Sequence, residues 1–354
     1  MLRHPGPHVP RRLAQRLAPW LTLSLALGAT ACGADLSADR SPETAGPAPR
    51  PQVREPRLHE VVGRAPEVVE GRDGYLFIGT DFDLGCGSGA EFEDYLGNLG
   101  RLATVIADSG RDVVWTVAPD KSTTLVDRLP AKVPQGRCFR QNQRWQEHLL
   151  ASEDDPHYVD TLQILRDADE AGEQVYWRGD SHWTSYGASL WLLAALERLD
   201  PAVVDAVEVV PGEAERNGDL YVMDERDDVE TAPSAVFSTD STIKPVPGTK
   251  PFEPGKDEWG PLEWRNVPGD DLVQGRTLVI GDSFSYAGMD LTMPLLQRGA
   301  FAWFQYLDTG VLARHVAAAD AVVVEISQRT LTHSSVATSG FVDEVEAALA
   351  REAR

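Results

Sequence analysis

The chain has 354 residues, of which 42% are hydrophobic, enough to bury a large core and too apolar for a disordered polymer. Its 55 acidic side chains against 33 basic ones leave a formal net charge of −22. Such a chain repels phosphate backbones and anionic head groups, and no local basic patch reverses the field, which excludes nucleic acid as a partner.

The first residues read as an export signal. Arg3, Arg11, Arg12 and Arg16 precede the apolar run "LAPWLTLSLALGATA", which ends in small residues before Cys32. That run is too short to read as a permanent spanning helix. Ala29-Thr30-Ala31 fits a signal-peptidase site, while the Cys32 that follows makes the stretch similar to a bacterial lipobox. The expectation is a lipoprotein anchored through Cys32; a freely secreted protein is the rival. Residues 33–57 are rich in Pro, Ala and charge without apolar period, as in a disordered tether. The boundaries expected are therefore a signal region over 1–32, a tether over 33–57 and one domain over 58–354. With Cys32 set aside, Cys86 and Cys138 form an even pair in an oxidising compartment, and a disulfide between them is expected.

"PEVVEGRDGYLFIG" predicts a hairpin turning at Arg72-Asp73-Gly74. Phe92, Tyr95, Leu96, Leu99, Leu102 and Ile106 recur at helical spacing, with Gly110 as a stop. "DVVWTVAP" is a buried strand, "QNQRWQEHLLAS" a helix, "HYVD" a short strand and "TLQILRDADEAG" another helix. "VYWRGDSHW" is extended and leads into a strong helix, "TSYGASLWLLAALERL", capped by Thr184 or Ser185. From about Gly212 to Asp271 the pattern loosens into polar, Pro-rich sequence, expected as loops with a short helix. "GRTLVIGDSFS" restores order as a central strand; "AFAWFQYLD", the helix "TGVLARHVAAAD", the strand "AVVVEIS" and a helix from about Gly340 complete one α/β unit. Alternating strands and helices predict a parallel sheet with helices on both faces.

The tripeptide Gly-Asp-Ser occurs twice, at Gly179-Asp180-Ser181 and Gly281-Asp282-Ser283. Ser283 directly follows the run Thr277 to Ile280, where a parallel sheet presents its ligands, and Gly281 permits a sharp turn. In the first copy, alternation along an extended segment puts Asp180 and His182 on one side and Ser181 on the other. A carboxylate two residues before a histidine can accept the Nδ1 proton and leave Nε2 free as a base. Asp180 and His182 thus read as orienter and base, with Ser181 a spacer and the nucleophile coming from elsewhere in the chain; Ser283 stands where a site would be, although any α/β protein can place a polar turn after a strand. Asp-x-His also suits a metal, but no third ligand has helpful spacing and His157 should lie elsewhere, so no metal is expected. Trp183 reads as core packing rather than a sugar platform, and Glu325 with Arg329 as a structural ion pair.

Together, "GRDGYLF", "APDKS" with "DRLP", "DSHWTSYGA", "NGDL", "VIGDSFS" and "VVVEISQRTL" resemble the AlgX/AlgJ-type branch of the SGNH hydrolase superfamily, the alginate O-acetyltransferase-like proteins, over roughly residues 59–335. In ordinary SGNH hydrolases the Gly-Asp-Ser block comes first; here the Asp-x-His block precedes it, as in the permuted branch. The resemblance implies a flavodoxin-like SGNH fold and a triad of Ser283, His182 and Asp180, with the Ser283 amide contributing to an oxyanion hole. It implies an acetyl-serine intermediate, a polysaccharide or wall-glycan acceptor, no cofactor, and a membrane-bound acyltransferase as acetyl-donating partner. An acetylesterase with the same triad, or a catalytically idle glycan-binding lipoprotein, are the competing expectations. An exported, periplasmic or cell-surface location follows from the N-terminal signal.

Overall fold

The computed structural model describes residues 67–82, 90–247, 260–268 and 271–353. The signal region with Cys32, the tether, and Cys86 with its expected disulfide to Cys138 lie outside the described residues. Among the described residues no helix is long and apolar enough to cross a membrane.

β1 (Val68–Glu70) and β2 (Leu76–Ile78) form the expected antiparallel hairpin, with Asp73 and Gly74 at φ 56° and 78°. α1 (Ala90–Asp108) turns Phe92, Leu96, Leu99, Leu102 and Ile106 into the core. Then come β3 (Asp112–Ala118), the single turn α2 (Lys121–Thr124), α3 (Gly136–Ala151) and α4 (Thr161–Glu170). The strand expected over His157–Asp160 reduces to one bridge, between Tyr158 and Trp115. α5 (Ser185–Leu199) is capped by Thr184, whose hydroxyl accepts the Gly187 N–H at 3.0 Å. Ten of its fifteen residues are buried, as expected of a helix packed on β3 on one side and on a later hairpin on another. α6 (Pro201–Ala206) follows it.

The loosely patterned stretch carries more order than its sequence suggests. β4 (Glu208–Arg216), α7 (Asp219–Met223), β5 (Glu230–Ser238), β6 (Thr242–Pro245) and β7 (Leu262–Val267) all fall in or next to it. β4 and β5 pair in a nine-residue antiparallel ladder. β4 is mostly exposed and holds Pro211 and Gly212, so it lacks the alternation that marks a half-buried strand.

β8 (Val273–Gly281), α8 (Ser283–Ala287), α9 (Met289–Thr292), β9 (Leu296–Trp303), α10 (Thr309–Ala317), β10 (Ala321–Ser327) and α11 (Ser339–Glu352) complete the domain. The main sheet has the order β3-β10-β8-β9-β7-β6. The first four strands are parallel; β7 and β6 add an antiparallel edge. Leu278, Ile280, Val322, Val324 and Ile326 point from β8 and β10 into one apolar core with α1, α10 and α11. All four parallel strands end at the same edge, and that edge carries Ser283.

Candidate active site

Asp282 builds the turn after β8. Its Oδ1 accepts the Phe284 N–H at 2.9 Å and caps α8, while its Oδ2 accepts the Ser327 N–H at 2.9 Å, the Ser327 hydroxyl at 2.7 Å and the Thr330 hydroxyl at 3.0 Å. One buried carboxylate thus ties the carboxyl ends of β8 and β10 together. Gly281 is required for space, not for a left-handed turn: a Cβ there would lie 2.6 Å from the Ser285 Cβ and 3.3 Å from Glu325 Oε2. Glu325 Oε2 accepts both the N–H and the hydroxyl of Ser285, at 3.0 and 2.6 Å. Burial, with the Asp282 charge beside it, pushes the Glu325 carboxyl well above the ordinary range. Ser283, the first residue of α8, is partly exposed.

The expected Glu325–Arg329 ion pair does not form. Arg329 Nη1 instead lies 3.6 Å from Asp81 Oδ1 and 3.7 Å from Asp120 Oδ1, and its Nη2 donates to Ser181 Oγ at 3.3 Å. Its guanidinium also rests 5.0 Å from the Phe284 ring centroid. Burial pushes the Asp81 and Asp120 carboxyls up, and for Asp120 the neighbouring Asp81 charge adds to it. Two buried acids around one guanidinium favour holding a proton between them.

Asp180 and His182 meet as the alternation requires. His182 Nδ1 lies 2.7 Å from Asp180 Oδ1, which also accepts the His182 backbone N–H at 2.9 Å. Arg216 Nε stands 2.8 Å from Asp180 Oδ2. Burial alone would raise the Asp180 carboxyl, but the His182 hydrogen bonds and the His182 and Arg216 charges outweigh it and hold it far below the usual range. His182 Nε2 is buried and has no hydrogen-bond partner. The imidazole packs 4.9 Å from the Phe284 ring, so it rests against the residue that follows Ser283. No hydrogen bond joins Ser283 to His182. Trp183 is buried core: it contacts Trp191 and Phe284 and donates to the Phe284 carbonyl at 3.1 Å.

Ser181 is more than a spacer. It is 2% exposed; its hydroxyl donates to Asp219 Oδ2 at 2.6 Å and its N–H to Asp219 Oδ1 at 2.7 Å. Its hydroxyl lies 3.4 Å from His182 Nδ1, the nitrogen already held by Asp180. It makes no hydrogen bond to Nε2, the other ring nitrogen.

Four residues that spacing along the chain does not place fix this segment. Asp219, from the "NGDL" turn, reaches Ser181 and donates its own N–H to Asp180 Oδ2 at 3.1 Å. Gly218 makes the approach possible, since a Cβ there would lie 2.0 Å from the Gly179 carbonyl oxygen. Glu230 on β5 accepts the Arg178 N–H at 2.8 Å and the Gly179 N–H at 3.1 Å. Lys121, from "APDKS", donates to the carbonyls of Trp177 and Arg178 at 2.8 and 3.2 Å. Burial draws the Lys121 ammonium down to about 7, against the pull of Asp180, Asp219, Asp81 and Glu230. "NGDL" and "APDKS" were visible as motifs without roles; Glu230 carried no local signal.

Asp219 also supplies the third ligand that spacing did not reveal: Asp180, His182 and Asp219 offer ligand atoms within 4.8 Å of one another. The donor set fits a cation poorly. The Asp180 and Asp219 oxygens are engaged by N–H and O–H donors, and the Arg216 guanidinium already neutralises Asp180.

A family model described as "SGNH hydrolase-like domain, acetyltransferase AlgX" matches residues 68–256. No curated protein matches the chain. Among solved structures, the O-acetyltransferase domain of Pseudomonas putida AlgJ is 16% identical, with 80% of this chain and 99% of that one covered and a TM-score of 0.47. A DHHW family protein from Eubacterium siraeum is 15% identical over 80% and 95% of the two chains, TM-score 0.50. Bacillus cereus PatB1 is 12% identical over 73% and 95%, TM-score 0.51. The last two likenesses are of fold.

Proposed function

The chain belongs to the SGNH hydrolase-like acetyltransferase family of AlgX, and on that premise we propose that it acetylates hydroxyl groups of an exported polysaccharide or wall glycan through Ser283, His182 and Asp180. The observation that carries this reading is the division of labour on the imidazole. Nδ1 is held by Asp180 at 2.7 Å, while Nε2 is buried without a partner. With Nδ1 engaged by the Asp180 carboxylate, Nε2 is the ring nitrogen left to take a proton during turnover.

In the proposed reaction the Ser283 hydroxyl loses its proton to His182 Nε2 as Oγ attacks the acetyl carbonyl of the donor. The donor's leaving group takes that proton, and acetyl-Ser283 remains. The Ser283 N–H is the candidate donor to the oxyanion. His182 then takes the proton of a sugar hydroxyl as its oxygen attacks the acetyl carbonyl; the Ser283 Oγ–acetyl bond breaks, and His182 returns the proton to Oγ. Asp180 stays ionised throughout and stabilises the imidazolium, a role supported by its lowered pKa. Hydrogen bonds from nucleophile to base commonly close only with substrate in place, which accommodates the open Ser283–His182 pair.

The N-terminal apolar run and Cys32 support export and a lipid anchor, and with them a membrane-bound acyltransferase as acetyl source. An oxidising compartment would also pair Cys86 with Cys138. The test of function is incubation of the purified protein with an activated acetyl ester, with and without oligosaccharide. Acetylated sugar is the expected product; acetate alone, released faster than from buffer, would make the protein an esterase.

A further inference from the structure

The two sequence blocks that carry the candidate triad meet at Phe284, the fully buried residue that follows Ser283. Its N–H donates to Asp282 Oδ1 at 2.9 Å, and its carbonyl accepts the Trp183 indole N–H at 3.1 Å. Its ring centroid lies 4.9 Å from that of His182 and 4.9 Å from that of Trp183, the second pair crossing at 88°. The Arg329 guanidinium stands 5.0 Å over the same ring and donates to Ser181 Oγ at 3.3 Å. Three consecutive residues of the first block are therefore tied to Phe284 of the second. Ser181 is joined through Arg329, His182 by ring contact, and Trp183 by both ring contact and a hydrogen bond.

Both sides of this junction are anchored. Trp183 stacks on Trp191 of α5 at 5.7 Å and 24°, and α5 packs on α8. On the other side Asp282 ties the start of α8 to Ser327 and Thr330. Burial alone asks only for an apolar side chain at position 284; the indole-to-carbonyl bond and the perpendicular ring contact fix where that residue sits. Proton transfer from a hydroxyl to an imidazole needs the two within about 3 Å, and a misplacement of about 1 Å can cost roughly a hundredfold in rate. We propose that Phe284 is a positioning residue, whose ring and carbonyl, held by His182, Trp183 and Arg329, set the approach of Ser283 to the base. This rests on the acetyltransferase reading above.

Pre-steady-state acylation by 4-nitrophenyl acetate separates rate from binding. Phe284→Leu removes the ring, and Trp183→Phe removes the N–H that holds the Phe284 carbonyl. Each should lower the maximal rate of Ser283 acylation about ten- to a hundredfold, while the half-saturating ester concentration changes less than about threefold. Phe341→Leu, at a position on α11 that is 1% exposed, is the destabilised control and should acylate at the parental rate. All are compared at a temperature where circular dichroism shows each protein folded. The proposal is overturned if both site variants acylate at the parental rate, if their loss lies wholly in half-saturation, or if Phe341→Leu is slowed as much. A parent that forms acetyl-Ser283 but passes it only to water loses the acetyltransferase reading, and slow acylation in the site variants still upholds the role of Phe284. A parent that acetylates glycan, with both site variants unslowed, keeps the reading and loses this inference. A parent that forms no acetyl-Ser283 overturns both.

Discussion

Asp219 and Asp180 are joined by a backbone-to-carboxylate hydrogen bond: the Asp219 N–H donates to Asp180 Oδ2 at 3.1 Å, beside the Arg216 guanidinium at 2.8 Å on the same oxygen. The acid that orients the candidate base is therefore held from a turn 39 residues away. This contact depends on Gly218 lying against Gly179, where any Cβ meets a carbonyl oxygen at 2.0 Å. Gly218→Ala should cost about 1–3 kcal/mol or more in urea unfolding, as overpacking against backbone does, and should slow acylation of Ser283. Unaltered stability and rate would show that the turn does not position Asp180.

Glu230 tests the same positioning from the other side. Its carboxylate takes the Arg178 and Gly179 N–H groups just before Asp180. Glu230→Gln keeps the volume but loses the charge and one acceptor oxygen. The expected cost is about 1–3 kcal/mol in stability. If Glu230 positions the base, the acylation rate at saturating acetyl ester falls about tenfold while the ester KM changes little. A loss of stability with no change in rate would confine Glu230 to a structural role.

Ser181→Ala removes a hydroxyl that donates to Asp219 and accepts from Arg329. A destabilisation of about 1–2 kcal/mol is expected, with acetylation still directed to Ser283. Activity falling as far as in Ser283→Ala would reverse the assignment of the two serines.

Glu325 makes stability depend on pH. Burial raises its carboxyl in the folded chain, so the native state binds more protons than the unfolded one above the ordinary glutamate range. Its contribution is then fully present below that range and is lost as pH rises towards the folded-state value. Denaturant titrations from pH 4 to 8 should show Glu325→Gln losing less stability with rising pH than the parent. Parallel pH profiles for the two proteins would contradict the shift.

Much of this architecture is legible in the sequence because it is written in local patterns. The run from Thr277 to Ile280 is a strand buried on both sides, and Asp180 and His182 share a side because an extended chain alternates. The edge strands β6 and β7 and the β4–β5 hairpin are not legible, since β4 and β6 are mostly exposed and carry no apolar period. Asp219, Glu230 and Arg329 reach the site across 38, 51 and 148 residues. Contacts of that separation depend on how the elements pack, and no spacing rule along the chain reports them.

The central claim is that Ser283 carries the acetyl group. The most direct measurement is brief incubation with 4-nitrophenyl acetate, an acid quench and peptide mass spectrometry. Acetyl should be found on the peptide containing Ser283, be absent from Ser283→Ala, be strongly diminished in His182→Ala, and persist in Ser181→Ala. Acetylation at Ser181, or undiminished labelling of the Ser283→Ala protein, would contradict the account.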